Sequence, residues 1–446
     1  MSRPPRSRAL PVPASRLSRL TGFGGVMGTM AGGIASGGLR ALARGERPDM
    51  RALLLTPANA TRLADELARM RGAAMKVGQL VSMDAGEILP REIAEPLARL
   101  RSEAHHMPPK QLRAVLDAEW GAGWQRRFAS FEVRPIAAAS IGQVHRARLP
   151  DGRPLAIKVQ YPGVRRSIDS DVANLGTIIR MSGVVPKGVD LDPLLEAARV
   201  QLHEEADYRA EGARMTAYAE MLEGDPAFTV PGVHAELTTD NVLVMDYAES
   251  APLETLEHAP QETRDRVVTR LLGLTLAELF AFRVMQTDPN LANYRHDAAT
   301  GRIVLLDFGA VRDIPDWLSD GFRRILAAGR AGDRATLEAA ALDLGYLPPD
   351  MSAAQRGELV DLMELSLEPL RRGGIFDFGA SDMARRVTEA GEALSRRQEA
   401  THVPPVDALF VQRKMGGMYL MATRLAARVD LDRLMDDALA ARPGAA

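Results

Sequence analysis

Three residues in this chain have the types and spacing to do chemistry together. They are Asp288, Asn293 five residues on, and Asp307 fourteen residues further, in the stretch V-M-Q-T-D-P-N-L-A-N-Y-R-H-D-A-A-T-G-R-I-V-L-L-D-F-G from Val284 to Gly309. Asp307 opens D-F-G directly after the apolar run Ile303 to Leu306. Phosphoryl transfer asks for such a set. One carboxylate receives or orients the acceptor's proton, and an amide with a second carboxylate holds divalent metal on nucleotide phosphates. D-F-G alone is weak evidence. The Asp, the Asn and a strand ending in D-F-G together are specific.

Such a site also needs a cation on the phosphates. Lys158 closes the run Leu155-Ala156-Ile157-Lys158, a setting in which lysine reaches the α- and β-phosphates. It needs an acid to hold it extended. The helix expected to open at Asp192-Pro193 and run to about Tyr218 offers Glu204, Glu205, Asp207 and Glu211. On one helix Glu205 and Glu211 project about 120° apart, so they could serve two different lysines. Just before the hairpin that leads to Lys158 stands Pro135-Ile136-Ala137-Ala138-Ala139-Ser140-Ile141-Gly142, where a phosphate loop belongs. Alanine visits positive φ reluctantly, so this loop sits differently over phosphates than a glycine loop. Val244-Met245-Asp246-Tyr247-Ala248 fits a hinge whose backbone would meet an adenine edge. No A-P-E follows D-F-G, and Pro315-Asp316-Trp317-Leu318 begins a helix almost at once, so a peptide-docking segment is missing.

The elements that must position these groups follow from pattern. Val144 to Leu149, the turn Pro150-Asp151-Gly152 and Leu155 to Val159 read as a hairpin. Val242 to Met245 reads as a further strand, and 262–285 as a long helix delivering the chain to Asp288. Beyond Gly309 the pattern is helical to the end, broken near Gly329, Pro348, Gly373 and Pro404. Upstream, 59–83 reads as an amphipathic helix with the stripe Leu63, Leu67, Met70, Ala74 and Val77, and Lys76 and Gln79 share a face. More helix is expected at 90–102 and 109–118.

The chain has 446 residues, net charge −2 and no cysteine. That length holds two or three ordinary domains or one elaborated one. The charge gives no reason to expect nucleic acid, and the missing cysteine excludes disulfides, thiolate metal sites and a Cys nucleophile. Residues 1–45 carry seven arginines and no acid, and Leu20 to Leu39 is uncharged with eight glycines. Gly24, Gly28 and Gly32 stand four apart, the spacing that lets membrane helices pack closely, while a flexible linker after a basic tail fits equally. The segment does not read as a secretory signal, because no compact Leu-rich core precedes a cleavage site, and no C-terminal run reads as apolar enough to span a membrane.

These residues resemble the UbiB/AarF group of atypical kinase-like proteins, called ADCK in animals. Lys76-Val77-Gly78-Gln79 matches its K-x-G-Q motif, Ala137-Ala138-Ala139-Ser140 its A-A-A-S loop, and Glu205-Ala206-Asp207 its E-x-D. M-Q-T-D-P-N (285–290) and R-K-M-G-G (413–417) look like the coenzyme Q branch. The match covers roughly residues 10–430. Leu291-Ala292 depart from it, standing where close relatives carry more polar or aromatic residues. The resemblance implies an α+β, bilobal protein-kinase-like fold with an N-terminal helical extension and a mostly helical C-lobe. The expected divisions are a basic, Gly-rich segment (1–45), the extension carrying K-x-G-Q (46–130), an N-lobe (131–248) and a C-lobe (249–446). It implies that Lys158 pairs with Glu211, that Lys76 and Gln79 face Glu205 and Asp207 across the active site, and that Asp288 is the acid/base position. Asn293 and Asp307 would bind Mg²⁺. Ala137, Ala138, Ala139, Ser140, Met245, Asp246, Tyr247 and Ala248 would line ATP. The expected activity is an ATPase, or a small-molecule or lipid kinase, supporting ubiquinone biosynthesis. The alternative is a nucleotide-gated scaffold or lipid-binding partner with little turnover. An ordinary small-molecule phosphotransferase does not account for K-x-G-Q. Expected partners are ATP and ADP, a quinone-precursor lipid or quinone biosynthetic enzymes, a membrane surface and a second copy of the chain. Expected placement is cytoplasmic, with peripheral or weak membrane association.

Overall fold

Asp151 and Gly152 make the first hairpin. Asp151 Oδ1 accepts the Arg153 N–H at 3.0 Å, and Gly152 takes φ +90°, a value costly for any residue with a Cβ. The strands Gly142–Arg148 and Pro154–Gln160 pair antiparallel, and Val242–Asp246 adds on the far side of Pro154–Gln160. Ser130–Phe131 and Ala137–Ala138 both pair with Gly142–Arg148, completing an antiparallel five-stranded sheet. The computed structural model describes residues 106–139, 141–181, 192–348, 350–397 and 404–441. The Gly-rich segment, the helices expected at 59–83 and 90–102, Lys76, Gln79 and Ser140 lie outside the described residues.

The chain divides into two compact units. The described residues up to Ala213, with Gly232–Tyr247, form the first, and Arg214–Pro231 with Ala248 onward form the second. In the first, Leu155, Ile157 and Val159 bury one face of the sheet. The helix Pro109–Trp120 covers them with Leu112, Leu116 and Trp120, spaced four apart on one stripe. Trp120, Trp124, Phe128 and Phe131 form an aromatic cluster, and Trp120 Nε1 donates to the Leu237 C=O at 2.9 Å.

The second unit is mostly helical. Gln261–Ala277 runs into a π-helical turn, Glu278–Phe282, and Arg283 ends it at φ +57°. Leu279, Phe280 and Met285 pack with Leu318, Phe322 and Ile325 of the helix Asp316–Ala331 in the main core of this unit. The chain then forms the strand Val284–Gln286 rather than more helix, pairing with Val311–Asp313. Tyr294–His296 and Ile303–Leu305 pair antiparallel beside it in sequence. Two further expectations are corrected. The C-terminal part is not all helical, because Ile375–Asp377 and Arg428–Asp430 pair as short strands. The helix expected from Asp192 to about Tyr218 is two helices, Asp192–Glu205 and Tyr208–Met221. Asp207 breaks it by capping the second: its Oδ1 accepts the Ala210 N–H at 3.1 Å.

Candidate functional site

In the first unit Lys158 and Glu211 meet. Lys158 Nζ donates to Glu211 Oε1 and Oε2 at 2.9 and 3.0 Å, with the two residues 7% and 1% exposed. The strand register sets the lysine between Val144 and Leu243. The restart at Asp207 sets the acid, since the Asp207 C=O accepts the Glu211 N–H at 2.9 Å in the first turn. The Tyr208 ring lies 5.1 Å from the ammonium, close enough for a cation–π contribution. Among the acids offered by sequence, Glu211 takes the lysine. Glu205 is buried at the end of its own helix, and Asp207 caps the next while lying 3.9 Å from Arg165.

The alanine segment is pinned rather than loose. Ala137 and Ala138 pair with Val144 and Gln143, and the Ala139 N–H donates to the Gly142 C=O at 2.8 Å. Gly142 is required by packing: a Cβ there would lie 2.5 Å from the Val159 oxygen and 2.8 Å from the Tyr208 hydroxyl. At the expected hinge two donors are already used, because the sheet register runs on past Met245. The Asp246 N–H goes to the Gly232 C=O at 2.9 Å and the Tyr247 N–H to the Pro154 C=O at 3.0 Å. The Asp246 carboxylate also meets His234 Nε2 at 2.9 Å. Ala248 is the first residue of the second unit's next stretch.

In the second unit Asp288, Asn293 and Asp307 come together. Asn290 Oδ1 accepts the Ala292 N–H at 3.1 Å and caps the short turn Leu291–Asn293. That turn folds Asn293 back, so its Nδ2 donates to the Asp288 C=O at 3.2 Å. The Leu306 N–H donates to the Asn293 C=O at 2.8 Å, setting Asp307 beside it. Asp307 takes φ +62°, a left-handed conformation that Asp tolerates better than most, and its Oδ1 accepts the Gly309 N–H at 3.2 Å. Arg214 holds the Gly309 C=O at 3.1 Å, while Phe308 packs on Tyr218 with ring centroids 4.9 Å apart.

The donor set suits Mg²⁺. Asn293 points its amide nitrogen at Asp288, which turns its Oδ1 the other way, and Asp307 adds carboxylate oxygen. Hard oxygen donors, few in number, are what Mg²⁺ takes when substrate phosphates and water complete its shell. Among the described residues no group of three or more His, Cys, Asp or Glu forms a metal cage. Asn293 and Asp307 are the residues here that could hold such an ion.

Two residues of R-K-M-G-G received no individual role from sequence. The buried Arg413 places Nη2 3.6 Å from Asp288 Oδ1. Lys414 Nζ donates to Gln286 Oε1 at 2.9 Å and to the Tyr294 hydroxyl at 2.6 Å, with Glu278 Oε2 3.6 Å away. Glu278 Oε1 accepts from the Tyr218 hydroxyl at 3.1 Å. Burial raises the Glu278 pKa despite Lys414; burial pulls the Lys414 pKa down, but Glu278 and Tyr294 override it and leave it raised. The signal was legible: Lys414 falls on the apolar stripe Phe410, Val411, Met418 and Met421, and Glu278 on that of Leu271 and Leu274. Gly417 lets the helix Val406–Arg424, which carries Arg413 and Lys414, reach the loop, since a Cβ there would lie 2.3 Å from Pro289 Cβ.

This arrangement and the fold define an atypical kinase-like protein. The model of the ABC1 atypical kinase-like domain matches residues 99–341. The chain belongs to that family, the UbiB/AarF group, in its coenzyme Q branch. It is 36% identical over 432 residues to "Atypical kinase COQ8, mitochondrial" of Saccharomyces cerevisiae, covering 96% of this chain and 86% of that one. It is 38% identical over 434 residues to "Atypical kinase COQ8B, mitochondrial" of Rattus norvegicus, covering 97% and 82%. Among solved structures it resembles the Rv3197–erythromycin complex from Mycobacterium tuberculosis, with TM-score 0.58 and 25% identity over 87% of this chain and 96% of that one.

Proposed function

We propose that the chain binds ATP with Mg²⁺ and hydrolyses it, or passes the phosphoryl group to a small or lipid acceptor, in support of ubiquinone biosynthesis at a membrane surface. The observation that carries this reading is the Asp288, Asn293 and Asp307 cluster, in which the Asn293 amide oxygen is turned away from the contact that holds its nitrogen. In this reading Lys158, held straight by Glu211, takes the α- and β-phosphates. Mg²⁺, when bound, neutralises charge on the transferred group. The bond from the γ-phosphorus to the β–γ bridging oxygen breaks, and one to the acceptor oxygen forms. Asp288 takes the acceptor's proton, and Arg413 adds positive charge beside it. Ala137, Ala138, Ala139 and Ser140 border the phosphates, Met245, Asp246, Tyr247 and Ala248 the adenine. Lys76 and Gln79, facing Glu205 and Asp207, exclude a protein substrate. A division of the chain at about 45, 130 and 248 goes with these roles.

A second reading, a nucleotide-gated scaffold for quinone enzymes or lipids, draws on the alanine segment. Sheet pairing holds Ala137 and Ala138, leaving them less free to close over phosphates. Arg3, Arg6, Arg8, Arg16 and Arg19 would add about 1 kcal/mol each at an anionic leaflet, enough for reversible contact. Among the described residues no helix is long and apolar enough to cross a membrane. The test measures ATP turnover by the full chain on anionic liposomes, with and without a phenol-bearing quinone precursor. Asp307→Asn removes a charge from the metal site, and turnover should fall at least about a hundredfold. Near-wild-type turnover in the folded variant refutes the assignment. Precursor-independent, barely measurable turnover in the wild type favours the scaffold.

A further inference from the structure

Lys414 is 1% exposed, and the proposed chemistry leaves its ammonium without a task. Its partners give it one. Gln286 stands two residues before Asp288, and Tyr294 directly follows Asn293. The Tyr294 hydroxyl also donates to Gln286 Oε1 at 3.1 Å. Gln286 Nε2 then donates to the backbone C=O of Asp307 at 3.3 Å. An amide side chain has one acceptor end and one donor end. Two donors, from Lys414 and Tyr294, claim the acceptor end. The donor end has only the other direction, toward Asp307.

We propose that Lys414 is a positioning residue for the metal site: by fixing the orientation of the Gln286 amide, it holds the Asp307 backbone in its left-handed turn and locks the Asp288–Asn293 loop to it. The inference rests on the metal–nucleotide reading above. Buried ion pairs are poor stabilisers, and an apolar residue of similar length often serves folding as well or better. A methionine at 414 would fill the volume, but it would let the amide turn over. Glu278, at 3.6 Å, keeps the ammonium charged without taking the hydrogen bonds that Gln286 and Tyr294 need.

Two variants test this. Lys414→Met with Glu278→Gln removes both charges together, so neither is stranded. Gln286→Glu keeps an acceptor for Lys414 and Tyr294 but removes the donor to Asp307. The readout is thermal stabilisation of the full chain by ADP as Mg²⁺ is titrated, beside ADP with chelator. Residues that orient metal ligands typically change metal affinity 10–100-fold. Both variants should therefore need at least about tenfold more Mg²⁺ for half-maximal stabilisation. Both variants should still unfold cooperatively without ligand, and metal-free ADP should shift each from its own ligand-free midpoint as it shifts the wild type. If Gln286→Glu keeps the wild-type Mg²⁺ requirement, the positioning role is wrong while the nucleotide reading stands. If the wild type shows no Mg²⁺-dependent response to ADP, the nucleotide reading fails and takes this inference with it.

Discussion

Lys158 sends two bonds to one carboxylate, at 2.9 and 3.0 Å from the Glu211 oxygens, whereas Lys414 sends its bonds to Gln286 and Tyr294 and leaves Glu278 at 3.6 Å. Both lysines are buried, and both face a glutamate that is 1% exposed. The first arrangement fixes one side chain in one direction, which suits a lysine that must reach a ligand. The second spreads the charge over neutral groups, which suits a lysine that orders its neighbours. Burial of a Lys–Glu pair therefore does not reveal its task; the recipients of the ammonium hydrogens do.

The largest expected effect comes from breaking the tighter pair. Lys158→Met takes both bonds from a carboxylate that remains buried, and removing one partner of a buried pair costs about 3–5 kcal/mol. Urea midpoints should show this loss, and adding Glu211→Gln should recover most of it without restoring nucleotide binding. Lys414→Met should cost less, because Glu278 keeps the Tyr218 hydroxyl. If the order is reversed, the contrast between the pairs is wrong.

Acid sharpens the contrast, because the Lys158 sheet also buries a cationisable group whose ring meets a backbone carbonyl and a side-chain amide. His145 stands opposite Ile157, beside the Val144–Lys158 pair. Burial pushes its pKa down to about 4, with a smaller upward pull from the Glu132 C=O. Its ring is satisfied as neutral: Nδ1–H donates to the Glu132 C=O at 2.8 Å, and Nε2 meets Gln143 Nε2 at 2.8 Å. A second ring proton would face an amide N–H. With the folded pKa below the unfolded value of 6.5, the unfolded chain binds the extra proton first. The stabilisation is therefore complete above about pH 6.5 and declines as pH falls toward 4, by at most about 3 kcal/mol. Trp120 and Trp124 fluorescence should report acid loosening of the first unit over this window, and His145→Gln should flatten the profile. A wild-type profile flat from pH 7 to 4 overturns the assignment.

The smallest effect probes what Glu278 has in place of a direct lysine bond. Tyr218→Phe keeps the packing on Phe308 but removes the hydroxyl from Glu278 Oε1. A hydrogen bond to a charged group is worth about 1.5–3 kcal/mol, and Lys414 close by should hold this loss near the lower figure. A urea midpoint shift equal to that of Lys158→Met would show Glu278 depending on Tyr218 as heavily as Glu211 depends on Lys158.

Much of this was readable from residues alone, and the rest had physical reasons to stay hidden. The hairpin was legible because Asp151 and Gly152 are turn residues between two β-rich runs. The site loop was legible because spacing carries it: Asn290 and the short turn bring Asn293 back to Asp288 over five residues. The break at Asp207 was missed because helix propensity on both sides is good, and a single cap decides the matter. The early end of the Gln261–Ala277 helix was missed because Leu279 to Phe282, Val284 and Met285 are apolar in either conformation. The short strands Ile375–Asp377 and Arg428–Asp430 pair across some fifty residues, a distance no local pattern records. Lys414 was visible as a charge on an apolar stripe. Its partners were not, because Gln286 and Tyr294 lie 128 and 120 residues away.

Gly417 has no side chain because Pro289 occupies the place where one would begin. In mutational terms the two positions form a single character. Any larger residue at 417 presses on the loop next to Asp288, so a change there is felt in T-D-P-N. The residue open to the last position of R-K-M-G-G is thus set by a loop it meets only after folding.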